Sequence, residues 1–334
     1  MIQETILVTG GCGFIGCNFI RMILAEHRDV KVVNLDALTY AGHPMNLAGC
    51  EDDENYTFVR GDIRDGELVP DLLEKHNIGG IINFAAESHV DRSIEEPNIF
   101  VETNVGGTLN LLLASIDAGV KRFLQVSTDE VYGSLEPEDA PFSETTPLCP
   151  NSPYAASKTA ADHLVHAFHH TYGLDTVITR CSNNYGPYQF PEKMLPLMFS
   201  SARHDKPLPV YGDGMQVRDW LYVADHCSAI WAAFTRGGTD EVYNVGGCNE
   251  KTNLEVIRAI LDWLGKPESL IEHVKDRPGH DRRYAMDARK IMGELGWKPE
   301  VTFEEGLRLT LDWYSQNQEW IGNVTRRRIQ GVLL

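Results

Sequence analysis

The chain contains no apolar run approaching the roughly 20 residues that a membrane span requires, so the reading predicts no membrane partner. Its opening, MIQETILVTGG, lacks the basic stretch and apolar core of a secretion signal. The seven cysteines are odd in number and include no C-x-x-C pair. Neither a disulfide framework nor a zinc ribbon is predicted, and a reduced, cytoplasmic protein is. Positive charge is scarce: 30 Lys and Arg face 48 Asp and Glu, for a formal net charge of −18. Such a surface repels nucleic acid and anionic membrane, and neither is expected as a partner. The one dense basic run, Arg326-Arg327-Arg328, reads as a short solvated tail. A phosphate-bearing substrate would therefore need positive groups gathered locally. Internal repeats and low-complexity segments are also absent.

What is present is ample for a large core: 334 residues, 43% of them hydrophobic. Short apolar runs at 5–8, 31–35, 80–84, 122–126 and 176–179 are each followed by a turn signal and mostly by a helical pattern. Strands of this kind suit a parallel sheet covered on both faces. The expected fold is a doubly wound parallel α/β sheet of the Rossmann type. After about residue 185 the rhythm changes, with Pro187, Pro191, Pro196, Pro207 and Pro209 cutting the chain into shorter pieces. Residues 253–264 read as an amphipathic helix capped by Thr252 or Asn253, with Glu255 in its first turn. The division expected is a dinucleotide-binding unit over 1–184, rejoined by a segment near 220–250, and a smaller substrate unit over 185–334.

Gly10-Gly11-Cys12-Gly13-Phe14-Ile15-Gly16 follows the first strand and opens the first helix. Gly10, Gly13 and Gly16 supply a tight turn, close backbone approach to a pyrophosphate and close helix–strand packing. The helix start, through Phe14 and Ile15, offers unpaired amides and a positive dipole end to phosphate. Asp36 ends the next strand, where a carboxylate binds ribose hydroxyls. It repels a 2′-phosphate, and Ala37-Leu38-Thr39 brings no arginine, so NAD is the cofactor predicted. Asp62-Ile63, after a third strand, is either an adenine contact or an ordinary turn.

Tyr154-Ala155-Ala156-Ser157-Lys158 sets a tyrosine and a lysine on one face of a helix, with Asn151-Ser152-Pro153 as its start signal. A free phenol has a pKa near 10, and a cation one turn away favours its phenolate. Ser127-Thr128, at the end of an earlier strand, could share a hydrogen bond with that phenol and a substrate hydroxyl.

These residues together resemble the extended short-chain dehydrogenase/reductase superfamily, which acts mainly on nucleotide-sugars, and the resemblance covers essentially the whole chain. Ser127-Thr128-Asp129-Glu130-Val131-Tyr132-Gly133 is similar to the nucleotide-glucose 4,6-dehydratases, the dTDP-glucose members above all. Related 4-epimerases typically carry small residues in place of Asp129 and Glu130. A bare Asp-Glu pair is usually only solvated, but at this position two carboxylates can supply an acid and a base. The resemblance implies Thr128, Asp129, Glu130, Tyr154 and Lys158 as catalytic residues, and no metal. It adds Leu38, Thr39, Ala85, Ala86, Ser88, Thr103 and Asn184 to the cofactor contacts. For the sugar and nucleotide it implies Ser88, Thr128, Asn183, Glu192, Lys193, Pro209, Tyr211, Arg218, Asn253, Arg277, His280 and Tyr284. The stretch 277–284 and Arg218 bring the arginines that the acidic balance demands, placed to grip a diphosphate. Ala37 departs from the lysine common there. The resemblance further implies a homodimer formed through helices 105–119 and 154–172. Rival readings are a UDP-glucose 4,6-dehydratase, a 4-epimerase, a UDP-glucuronate decarboxylase, or a non-catalytic NAD-binding sensor.

Overall fold

The computed structural model describes residues 5–276 and 280–331. Arg277, and the side chains of residues 326–328, lie outside the described residues. The strands are β1 (Thr5–Thr9), β2 (Lys31–Asp36), β3 (Tyr56–Arg60), β4 (Ile78–Asn83), β5 (Arg122–Thr128) and β6 (Asp175–Cys181). They are followed by β7 (Asn183–Tyr185), β8 (Leu208–Tyr211), β9 (Val217–Tyr222), β10 (Glu241–Val245), β11 (Glu250–Thr252) and β12 (Ile271–Val274). Seven of them form one sheet in the order β10-β6-β5-β4-β1-β2-β3. Every pairing in it is parallel.

The sheet is apolar on both faces, as a parallel sheet covered by helices must be. On β1, Ile6, Leu7 and Val8 are all fully buried. Ile6 and Val8 pack in one cluster with Phe19, Ile20 and Ile23 of helix Phe14–Glu26 and with Ile230 of helix Val223–Arg236. Leu7 points the other way, into a cluster with Leu72, Leu111 and Val165 of helices Leu68–Lys75, Thr108–Ala118 and Pro153–Tyr172. The period-2 alternation of one strand thus feeds two separate cores. Strand order reverses between β1 and β4, and the crevice above their carboxyl ends is where open α/β sheets bind ligands.

The later part of the chain builds smaller pieces around a third core. β7, β9 and β11 form one sheet, and β8 pairs with β12 in another. Phe199, Ile257, Ile260, Leu311 and Tyr314 hold these against helices Met194–Arg203, Asn253–Leu264 and Phe303–Gln316. The two candidate caps at 252 and 253 are resolved: Thr252 caps the helix in a reciprocal box with Glu255.

The helical stretch Pro97–Ala118 is 22 residues long and holds an 18-residue window of mean hydropathy 1.3, enough by length and composition to cross a membrane. It was not legible as an unbroken apolar run because Glu102, Asn104 and Asn110 interrupt it. Phe100, Leu111, Leu112 and Ala114 are buried within the fold, so its apolar side serves the core. None of the seven cysteines is joined in a disulfide.

Candidate active site

The glycine loop is shaped by what a side chain would collide with. Gly10 adopts φ +68°, and a Cβ there would sit 2.8 Å from the backbone of Ala85, at the end of β4. At Gly16 a Cβ would meet the Gly10 carbonyl at 2.4 Å. The loop therefore folds tightly against two neighbouring segments only because both positions are bare. Gly13 is the N-cap of helix Phe14–Glu26 and supplies no side-chain cap, and the first turn carries no acidic residue. Backbone amides and the dipole end are thus left for a phosphate. Asp36 closes β2, its carboxylate accepting from the amides of Cys12 at 2.8 Å and Leu38 at 2.7 Å. It is a fixed acceptor beside the loop. These residues fit NAD.

A single cavity of about 390 Å³ runs from this loop to the catalytic candidates. Gly10, Gly13, Phe14, Ile15, Gly16, Asp36, Thr39, Asp62, Ile63, Ala85, Ala86, Ser88, Thr103 and Asn184 line it. So do Thr128, Asp129, Glu130, Tyr154, Lys158, Asn183 and Lys193. Leu38 does not: it has φ +55° and packs against the core below the loop. Asp62 lines the cavity but is also held by Arg64, with contacts of 2.8 and 3.0 Å.

The catalytic candidates converge from two elements. β5 ends at Thr128, and Asp129–Tyr132 forms one 3₁₀ turn beyond it, capped by the Thr128 hydroxyl on the Glu130 amide. Helix Pro153–Tyr172 is capped by Ser152 with Pro153 in its first turn, which places Tyr154 and Lys158 at its start. Both are buried, as is Asp129. Thr128 Oγ1 lies 3.2 Å from Asp129 Oδ1, while Asp129 Oδ2 has no hydrogen-bond partner. Burial, with the Glu130 carboxylate beside it, pushes the Asp129 carboxyl well above its usual range. Burial thus favours the protonated form of this carboxyl.

The phenol of Tyr154 departs from the sequence expectation. Its pKa stands well above the ordinary value, raised by burial first and by Glu130 second, with the Thr128 hydroxyl acting in the opposite sense. Lys158 does not bring it toward neutrality. The ammonium donates to the Val126 carbonyl at 2.8 Å, and burial depresses its own pKa although the Asp162 carboxylate supports its charge. Spacing along a helix showed that the two share a face; it could not show which acceptor the ammonium takes.

The remaining substrate candidates divide into groups. Lys193 reaches the Ser88 carbonyl at 3.0 Å. Glu192 is buried and paired with Arg92 at 3.3 Å and His89 at 3.7 Å, outside the cavity lining. Arg218 and Tyr284 stand beside the catalytic carboxylates. The guanidinium lies 4.3 Å from the Tyr284 ring centroid, and its charge acts on Asp129 while Glu130 acts on Tyr284. Further out, Tyr211 and His280 meet ring edge to face at 6.1 Å, and His280 Nδ1 lies 2.6 Å from Asp276. Pro209 is exposed on β8, and Asn253 begins its helix. The expected gathering of arginines is reduced: Arg282 pairs with Asp213 and Arg283 with Glu250, so both are engaged within the protein.

Sequence reasoning missed several lining residues, among them Arg64, Gln189 and Phe190. Arg64 stands two residues from Asp62, and that spacing was the only signal for it. Cys181 ends β6 in register with Thr128 of β5.

Comparison with known proteins adds four findings. Residues 7–310 match the family model described as GDP-mannose 4,6 dehydratase. The dTDP-glucose 4,6-dehydratase of Xanthomonas campestris pv. campestris (strain B100) is 57% identical, over 96% of each chain. That of Escherichia coli (strain K12) is 49% identical, over 96% of this chain and 95% of the relative. The crystal structure of the dTDP-glucose 4,6-dehydratase of Streptomyces venezuelae, with NAD and dTDP bound, superposes with a TM-score of 0.93. It is 49% identical and covers 96% of this chain and 99% of its own.

Proposed function

The chain belongs to the GDP-mannose 4,6 dehydratase family, and we propose that five side chains of its groove divide the work of one dehydration. The activity is the NAD-dependent conversion of dTDP-glucose to dTDP-4-keto-6-deoxyglucose and water. NAD, when bound, supplies the hydride acceptor and, in its oxidised form, a positive charge. The observation that carries the division is the consecutive pair Asp129-Glu130 beside Thr128 and Tyr154, in the same cavity as the glycine loop.

Tyr154, hydrogen-bonded through Thr128, would be drawn to its phenolate by the positive charge of bound NAD added to that of Lys158, and takes the proton of the sugar 4-hydroxyl as the C4 hydrogen leaves as hydride. The resulting C4 ketone acidifies the hydrogen on C5. Glu130 removes that proton, and Asp129, whose protonated form burial favours, gives its own to the departing 6-hydroxyl. Hydride returns at C6 and a proton at C5, so water is lost with no net redox change. Lys158 holds the helix of Tyr154 to β5 and keeps a positive charge near the reacting oxygen. Arg218, Tyr284, His280 and Tyr211 continue from the carboxylates toward the nucleotide end of the substrate, a course that fits a diphosphate and a base. An epimerase needs no such acid and base, and a sensor needs no Tyr154 and Lys158.

The same reading divides the chain functionally at about residue 184, with β10 rejoining the large sheet. It includes a homodimer: Val101, Leu109, Leu113 and Tyr172 are exposed apolar side chains on helices that pack together, and a second copy would cover them. Seven free thiols suit a reducing, cytoplasmic setting. Mass spectrometry of dTDP-glucose incubated with purified protein, without added NAD, tests the activity. Loss of one water, with UDP-glucose converted far more slowly, supports it; an unchanged dTDP-sugar even after NAD is added overturns it.

A further inference from the structure

Helix Pro153–Tyr172 carries a second cluster at its far end, away from the groove. His166 and His170 stand one turn apart and share a carboxylate. Nδ1 of His166 lies 2.9 Å from Oδ1 of Asp240, and Nε2 of His170 lies 3.4 Å from Oδ2. The ring centroids are 4.5 Å apart, and one ligand atom from each residue lies within 4.8 Å of the others. We propose that His166, His170 and Asp240 form a binding site for a late divalent transition-metal ion, zinc above all, independent of the NAD chemistry.

Two imidazoles and a carboxylate are the donor set that zinc takes at about 2.0 to 2.2 Å, and a tetrahedron of that size holds its ligand atoms about 3.3 Å apart. The separations observed, 2.9 and 3.4 Å to the two carboxylate oxygens and none above 4.8 Å, lie near that edge, and side-chain rotation would bring the three donors onto one ion. Asp240 is fixed from behind. Its backbone has φ +61°, and its amide donates to the Thr176 carbonyl at 2.7 Å, which presents the carboxylate to the helix. Asp240 is largely buried on its side chain while both imidazoles are more than half exposed, leaving the outer coordination position to water. Nitrogen donors favour zinc, nickel, copper or cobalt over magnesium and calcium. An ion bound here ties the end of helix Pro153–Tyr172 to the turn that enters β10. Because the three ligands come together only in the folded chain, it stabilises that state by mass action.

The test is calorimetric titration of full-length, chelator-washed protein with zinc sulfate, beside magnesium chloride. One zinc per chain and no magnesium are expected. Asp240→Asn should weaken zinc binding by about tenfold or more, since even the loss of a supporting group around a metal ligand has that effect. The double substitution His166→Gln/His170→Gln should abolish it while dehydratase activity is unchanged. Cobalt substitution gives a second reading: visible bands without thiolate charge transfer are expected. A thiolate signature would instead place the ion on Cys149 or Cys248, both exposed, and overturn the assignment. No zinc binding, or equal binding by wild type and the double variant, overturns it as well.

Discussion

The Lys158 ammonium donates a 2.8 Å hydrogen bond to the carbonyl of Val126, two residues before Thr128 on β5. One side chain thereby ties the start of the catalytic helix to the strand that delivers Thr128, Asp129 and Glu130. Lys158→Met removes both that tether and the charge. The expected result is a fall in kcat of about 10²- to 10⁴-fold, the range of a lost acid–base group. Stability should also drop by about 1–3 kcal/mol, because the Val126 carbonyl stays buried without its donor. Steady-state kinetics and denaturant unfolding measure the two, and a near-native kcat would contradict the role.

Asp129 and Glu130 act after the first oxidation. In single-turnover stopped-flow, Asp129→Asn and Glu130→Gln should still reduce bound NAD, seen as NADH absorbance, yet fail to release keto-deoxysugar. Equal loss of NADH formation and of elimination would refute this separation.

The raised pKa of Asp129 also predicts a stability effect of definite sign. The folded protein holds that proton more tightly than the unfolded chain, whose aspartates titrate near 3.9. Wild-type stability is therefore lost as pH rises from about 4 through the folded value. Asp129→Asn lacks this loss. Its Tm relative to wild type should climb with pH over that window, and a flat difference would show that Asp129 is not held protonated.

His226 behaves oppositely. It is fully buried, and burial lowers its pKa to about 3. Its Nδ1 lies 2.9 Å from Asn184 Oδ1, while the Asn184 amide donates to Ser182, so Nδ1 carries the proton and Nε2 stays bare. The unfolded chain takes up a proton below about 6.5, which the folded one refuses until about 3. Stability should fall as pH drops across that window, by an amount of the order of 5 kcal/mol from a shift of this size. In a pH series of unfolding, His226→Gln should show a shallower acid limb; an unchanged limb would assign the loss to other groups.

Much of this molecule was legible before its coordinates because its signals are local. Short continuous apolar runs marked the strands, the glycine spacing marked the phosphate turn, and Ser152-Pro153 marked the start of the catalytic helix. What was not legible depends on long-range neighbours. Arg282 and Arg283 looked free to hold phosphate until Asp213 and Glu250 appeared beside them. The choice of Lys158 for a carbonyl lies beyond any helical wheel. The His166–Asp240 pair spans 74 residues, and only the packing of β10 onto β6 brings its partners together. The base of the substrate was also out of reach, since thymine and uracil differ by a methyl group worth only about 0.8 kcal/mol when buried. Relatives supply that choice.

The most direct test of the account follows the hydrogen that leaves C4. Substrate deuterated at C4 of glucose is turned over in ordinary water without added NAD, and the product is examined by mass spectrometry and NMR. If one bound nicotinamide carries the hydride within a single active site, the deuterium reappears on C6 of the product and one solvent proton appears at C5. Deuterium lost to solvent, or retained at C4, would contradict the mechanism at its centre.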